Sequence, residues 1–344
     1  MRQVTFMQEN VNSVNSIMSQ YPLRVRKVQL ISDKGKKATW TIVTGSGTKI
    51  LKKSPATQKR LLFLIQAIKH LQKNGAPIPA MVKTSAGKEY SQDSSGNCYI
   101  LSDAVRGTKP TYKTSDLLSI MKELGKFHLA SRGFQSNFTT NEREHLGGWA
   151  QNYARYIERL ENYKKMAKSS SNEFEKLYLL YADNFISQGK EALKWIQSNY
   201  YTNWVNKVTA QKNLCHQDFA AANLIKTNKG IAIIDMDSLT FDLPARDIRK
   251  IFNKVMKKHG WSSSKAVLML RAYREVHPLS DDECQIIYAD LLFPHLFYGL
   301  SSKFFEKRTQ WNSPSTLKKL KAMIDSENDR QRMLSSWKSI VKQS

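Results

Sequence analysis

Apolar and polar residues alternate from Val25 to Ile31 and again from Ala38 to Thr44, with the polar segment SDKGKK between them. Gly45-Ser46-Gly47 then offers a hairpin turn before Thr48 to Lys52. A period of two over three such runs predicts an antiparallel meander. After Ser54-Pro55 the period lengthens: Leu61, Leu64, Ile65, Ile68 and Leu71 share one face of a helix that Asn74-Gly75 ends. Strand-like stretches return from Ala80 to Thr84 and from Cys98 to Ser102, with a polar turn between Tyr90 and Cys98.

From Ser115 the pattern becomes mostly helical, and Leu117, Ile120, Met121, Leu124, Phe127 and His128 form one stripe. Glu142 to Lys212 continues it, rich in Tyr, Trp and Lys and broken at Ser169 to Asn172. Its aromatic stripe reads as core. A β-rich island from Leu214 to Asp237 interrupts this helical half. The order predicts an α+β chain in two lobes. Residues 1–103 form a small antiparallel sheet with one helix, and residues 104–344 a larger, mainly helical part, joined by an extended connector at about 101–107.

The island, LCHQDFAAANLIKTNKGIAIIDMDS, leads from His216-Gln217-Asp218 to Asn223, turns at Asn228-Lys229-Gly230, and returns along Ile231 to Ile234 to end in Asp235 and Asp237. This is a hairpin with carboxylates at its open end. Phosphoryl transfer asks little covalent help of a protein: a carboxylate to hold an acceptor hydroxyl in line, and hard oxygen ligands to fix magnesium on the phosphates. Asp218 suits the first task, accepting a hydrogen bond from the hydroxyl. Asn223 and Asp235 suit the second, and His216 suits bracing the loop. The bland alternative is an ordinary hairpin with solvated acids and a satisfied buried histidine.

H-x-D-x-x-x-x-N followed by an apolar strand and I-D-x-D resembles the catalytic segment of the aminoglycoside phosphotransferase and choline kinase superfamily. The resemblance implies a protein-kinase-like fold, ATP or another nucleoside triphosphate with Mg2+ as cofactors, and a hydroxyl acceptor. It also implies that Lys52, ending the strand KILK, pairs with nucleotide phosphates, and that Asp247 in PARDIRK is the superfamily's downstream Asp, with a structural role or as a helix N-cap. The longer strings HQDFAAANLI and IDMDSLTFDLPARDIRKIFNKVM are similar to the CotS-type spore coat proteins of endospore-forming bacteria, as are KRLLFLIQAIKHL and ELGKFHLASRGF. That likeness runs from about Leu23 to near Leu300 and implies spore coat proteins as partners. It implies synthesis in the mother-cell cytoplasm followed by placement in the coat.

Two departures bear on activity. Active kinases of this design pair the strand lysine with a glutamate of the amino-lobe helix, yet between Pro55 and Asn74 there is no acidic residue, and Gln58 and Gln66 are the partners considered in its place. The turn Asp33-Lys34-Gly35-Lys36-Lys37, where a phosphate-covering loop belongs, has one glycine, leaving its lysines to compensate electrostatically. An ATP-dependent phosphotransferase and a catalytically poor scaffold of the coat both fit.

Composition adds less. Over 344 residues, 54 Lys+Arg against 29 Asp+Glu give a formal charge of +25, a surface that attracts polyanions. The charges are spread along helices, as at Lys250, Lys254, Lys257 and Lys258, and no recognition-helix, RNP-type or zinc-finger pattern accompanies them, so no specific nucleic-acid partner is expected. Cys98, Cys215 and Cys284 are widely separated and include no CxxC pair, which argues for a reducing compartment and against a disulfide framework or zinc site. No apolar run reaches the length of a membrane span, and MRQVTFMQENVNS has no signal-peptide pattern.

Overall fold

The computed structural model describes residues 14–138, 145–306 and 313–344. The first helical residues expected from Glu142, the segment 1–13 read for a signal peptide, and the side chain of Lys258 lie outside the described residues. The chain divides into two compact units. One comprises Met1–Pro110, Phe134–Glu142 and Ala221–Leu239; the other comprises Thr111–Gly133, Arg143–Ala220 and Thr240–Ser344.

In the first unit, β1 (Val25–Asp33), β2 (Ala38–Thr44), β3 (Gly47–Lys53), β4 (Ser91–Gln92) and β5 (Cys98–Asp103) form an antiparallel sheet in the order β1-β2-β3-β5-β4. The alternation in β2 sends Ala38, Trp40, Ile42 and Thr44 inward. Trp40, Ile42, Leu51, Tyr99 and Leu101 meet Val14, Ile17, Met18 and Tyr21 in one core. The last four come from helical residues 14–18 and the turn that follows them.

Helix α1 (Gln58–Lys73) starts later than Ser54-Pro55, because the Ser54 hydroxyl accepts from the Ala56 N–H in a local turn and Thr57 is the residue that caps the helix through the Arg60 N–H. Asn74 ends it as expected. The expected strand at Ala80 to Thr84 is reduced to a single bridge, Met81 with Ser102, since Thr84 closes a turn with Lys88 and β4 takes the next place along β5.

The island's hairpin belongs to this unit: β6 (Leu224–Thr227) pairs with β7 (Gly230–Ile233). It is tied to the connector after β5 by two hydrogen bonds, Thr108 N–H to the Lys226 carbonyl at 3.0 Å and the reverse at 2.7 Å. Gly107 makes that approach feasible: its φ is +157°, and a Cβ there would overlap the Lys226 carbonyl. The Ile233 N–H reaches the Pro77 carbonyl, and the buried Arg60 guanidinium bonds the Leu239 carbonyl.

The second unit is helical: α2 (Thr114–Ala130), α3 (Trp149–Ala167), α4 (Glu173–Ile196), α5 (Asn199–Gln211), α6 (Pro244–His259), α7 (Ser263–Arg274), α8 (Asp281–Leu292), α9 (His295–Phe305), α10 (Ser313–Leu334) and α11 (Trp337–Gln343). The apolar stripe of α2 is buried, and the break at Ser169 to Asn172 ends with Asn172 capping α4 through the Phe174 N–H. A two-residue ladder of Leu214–Cys215 with Thr240–Phe241 sits among the helices. The three cysteines are buried free thiols. Among the described residues no helix is long and apolar enough to cross a membrane.

Candidate functional site

The β6–β7 ladder brings Asn223 and Asp235 to one end of the hairpin. Leu224 faces Ile233 across the ladder, and the Ile234 N–H donates to the Asn223 carbonyl at 3.0 Å. Asp235 Oδ2 lies 3.0 Å from Lys37 Nζ, and the same ammonium lies 2.5 Å from Asp237 Oδ2. Lys52 Nζ donates to the Ile234 carbonyl at 2.6 Å and stands 4.0 Å from Asp235 Oδ1. Burial works against an ionised Asp235, but the charges of Lys52 and then Lys37 outweigh it and hold its carboxyl below the ordinary range. Burial likewise opposes the Lys37 ammonium, and its contacts with Asp237 and Asp235 overcome this and raise its pKa.

Two cations thus flank Asp235, one from the turn between β1 and β2 and one from the central sheet. The anchor of Lys52 is the hairpin itself. Gln58 donates to the Tyr90 hydroxyl and Gln66 accepts from Ser136. Ile68 of α1 joins Ile78, Met81, Ile100 and Met236, with Ser54, Ser102 and Asp237, around a small cavity of about 60 Å³ beside Lys52. With no acidic residue in α1, Lys52 is anchored by the Ile234 carbonyl and Asp235.

In the second unit the ladder at Leu214–Cys215 delivers His216, Gln217 and Asp218 to the start of α6. Asp247 Oδ2 accepts the His216 N–H at 2.6 Å and Oδ1 the Gln217 N–H at 2.7 Å, while His128 Nε2 lies 3.2 Å from Oδ2. His128 is fixed in turn by the Tyr273 hydroxyl at 2.7 Å. Asp247 is the fourth residue of α6 and Leu243 occupies the N-cap, so Asp247 is a loop anchor and not the helix cap. Burial opposes its ionisation, yet its bond to His128 prevails and its carboxyl stays below the usual range.

Gln217 takes a left-handed backbone, φ +68°, uncommon for a side-chain-bearing residue. That conformation costs free energy, and the bonds around it hold it in place. Lys250 Nζ bonds the Gln217 carbonyl at 2.6 Å and its side-chain oxygen at 2.9 Å, and Asp242 accepts from the Gln217 amide. Burial pushes the Lys250 pKa down to about 8. His216, buried against Phe127 and Phe219, accepts the Asp218 N–H at Nδ1. It braces the loop. The Asp218 side chain itself is 52% exposed, with Lys254 Nζ at 4.0 Å. His128, Cys215 and Asp247 approach one another closely, but Cys215 donates to the Asp242 carbonyl and Asp247 is saturated with N–H donors, so the group is a hydrogen-bonded lock.

The structure therefore groups Lys52, Asn223, Asp235 and Asp237 in the first unit and His216, Asp218 and Asp247 in the second, the chain passing from one to the other between Ala220 and Ala221. Sequence reasoning missed the double role of Lys37 and the grip of Lys250 on Gln217. The only local signal for the former was the density of lysines in the turn.

A five-stranded antiparallel sheet with helix α1, a mainly helical unit, and a short hairpin carrying the acids together define the kinase-like fold of the aminoglycoside phosphotransferases. A solved aminoglycoside phosphotransferase from Alicyclobacillus acidocaldarius superposes with a TM-score of 0.80 at 19% identity, covering 96% of each chain. The amicoumacin kinase hAmiN, solved with AMP-PNP, Ca2+ and amicoumacin, gives a TM-score of 0.61 at 13% identity over 97% of this chain and 96% of its own. Residues 15–337 match the family described as "Spore coat putative kinase YutH". Spore coat protein S of Bacillus subtilis (strain 168) is 31% identical over 96% of this chain and 95% of its own length. The chain belongs to this spore coat kinase-like family.

Proposed function

We propose that this protein is a spore coat phosphotransferase that moves the terminal phosphoryl group of ATP, with Mg2+, to a hydroxyl acceptor. The carrying observation is the pair of carboxylates Asp235 and Asp237 meeting on one positive charge, with Lys52 beside them. An ammonium bridging two carboxylates is a stand-in for a cation, so this donor set fits a hard divalent ion. Asn223 and Asp235 would hold the ion, with Asp237 supporting, and the ion would neutralise charge on the transferred phosphoryl group. Lys52 would pair with the nucleotide's phosphates. Asp218, solvent-facing on a loop fixed by Asp247, would accept the hydrogen bond of the acceptor hydroxyl. The nucleotide analogue and cation held by hAmiN support the same reading.

Placement in the coat, after synthesis in the mother cell, follows the naming of its relative and brings coat proteins as partners. A second reading, a kinase-like scaffold with little turnover, is favoured by the lack of any acidic residue between Pro55 and Asn74 to pair with Lys52. Calorimetry with ATP and Mg2+, repeated on Asp235→Ala, tests the site. Magnesium-dependent binding that the substitution abolishes supports a working pocket; equal heats for both proteins refute it. Slow ATP turnover lost in Asp218→Asn then separates enzyme from scaffold.

A further inference from the structure

Lys37 ends the turn between β1 and β2, and its anchor is fixed. The Lys34 N–H donates to the Lys37 carbonyl at 2.8 Å, the Gly35 N–H donates to Asp33, and the neighbouring Ala38 pairs with Asp33 on one side and Lys53 on the other. Its side chain is different. It is 35% exposed and crosses to the hairpin to contact Asp235 and Asp237 together, and a lysine stem has four rotatable carbons on which to swing away.

Asp235 also faces Lys52, which is held by the Ile234 carbonyl and stands on the far oxygen. Lys52 therefore has its own acceptor, whereas Lys37 spends its charge on the two acids. A divalent ion taking those oxygens must expel the Lys37 ammonium, because two cations at one oxygen repel. A free ion offers the expelled ammonium nothing in return. An ion carried on a polyphosphate brings anionic oxygens with which that ammonium can form charge-assisted hydrogen bonds.

We propose that Lys37 is a specificity-determining residue: it guards Asp235 and Asp237 against free divalent cations and yields them to a cation delivered on a nucleoside triphosphate, onto whose phosphates its ammonium transfers. The turn thereby does with one mobile lysine part of what a glycine-rich loop does with backbone N–H groups. This inference rests on the nucleotide reading above, and its test separates the two.

Binding of Mn2+ to the full-length protein is followed by electron paramagnetic resonance, alone and with a non-hydrolysable ATP analogue, for the wild type, Lys37→Met and Lys34→Met. Lys34→Met removes the same charge from the same turn. Lys37→Met should bind free Mn2+ at least tenfold more tightly than either other protein and the Mn2+–analogue complex at least tenfold more weakly than the wild type. Equal free-Mn2+ affinity in wild type and Lys37→Met, or the same gain in Lys34→Met, overturns the role of Lys37. Failure of the nucleotide reading looks different: the wild type takes up no Mn2+–analogue complex and Asp235→Ala leaves free-Mn2+ binding unchanged.

Discussion

The loop 216–218 and the acids 235–237 are near neighbours in sequence, and they are held in opposite ways. Asp247, 1% exposed, receives two backbone N–H groups and His128, so the loop is fixed from within by bonds that water cannot replace. Asp235 and Asp237 are held by lysine side chains that are 25% and 35% exposed. Breaking the first kind of bond strands a buried charge or donor, whereas the second kind leaves each acid partly open to solvent and Asp235 with a second cation in Lys52. The contrast is one of rigidity against replaceability. On the function proposed above, the loop would aim a hydrogen bond and is locked, and the acids would change ligands and are left with exchangeable ones.

The comparison breaks most readily at Asp247. Replacing it with Ala orphans the His216 and Gln217 N–H groups and should cost about 3–5 kcal/mol in denaturant unfolding; a loss below ~1 kcal/mol would mean the loop is not locked there. Next in size is Gly107→Ala, which drives a Cβ into the Lys226 carbonyl and should cost about 2–3 kcal/mol by the same measurement. An unchanged midpoint would show that the connector does not secure the hairpin.

Lys250 sharpens the contrast through pH. Its folded pKa of about 8 lies below the unfolded value of about 10.4, so between them the unfolded chain binds more protons and folding gains as pH rises. Urea titrations from pH 7.5 to 10 should show wild-type stability climbing relative to Lys250→Met by on the order of 1–2 kcal/mol. Parallel curves would contradict a buried ammonium at Gln217. Smallest of all, Asp218→Asn at a half-exposed side chain should move stability by under ~0.5 kcal/mol while removing ATP turnover. A large stability change would recast Asp218 as a structural group.

Much of this was written locally. The strands β1 to β3, the stripe of α1, the break at Asn172 and the hairpin around Asn228-Lys229-Gly230 each follow from periodicity and turn chemistry within a few residues. What stayed hidden is what depends on partners far along the chain. Lys37 and Asp235 are 198 positions apart, and nothing near either marks the other. Asp247 carries two readings in sequence, a structural role or a helix N-cap, and only the arrival of the backbone at His216 decides for the first. Met81 lies in a strand-like run, but the turn at Thr84 and the competing β4 limit it to one bridge.

The discontinuity of the first unit has a consequence for biosynthesis. Its sheet is complete once residue 103 has left the ribosome, yet the hairpin that stacks against Pro77 and the connector arrives only with residues 221–239, after more than a hundred residues of the other unit. The nascent sheet must therefore wait, with the Arg60 guanidinium lacking its Leu239 carbonyl, until the helical insertion has been made. A contiguous amino-terminal fragment that stops before residue 221 lacks the hairpin and cannot reproduce the finished first unit.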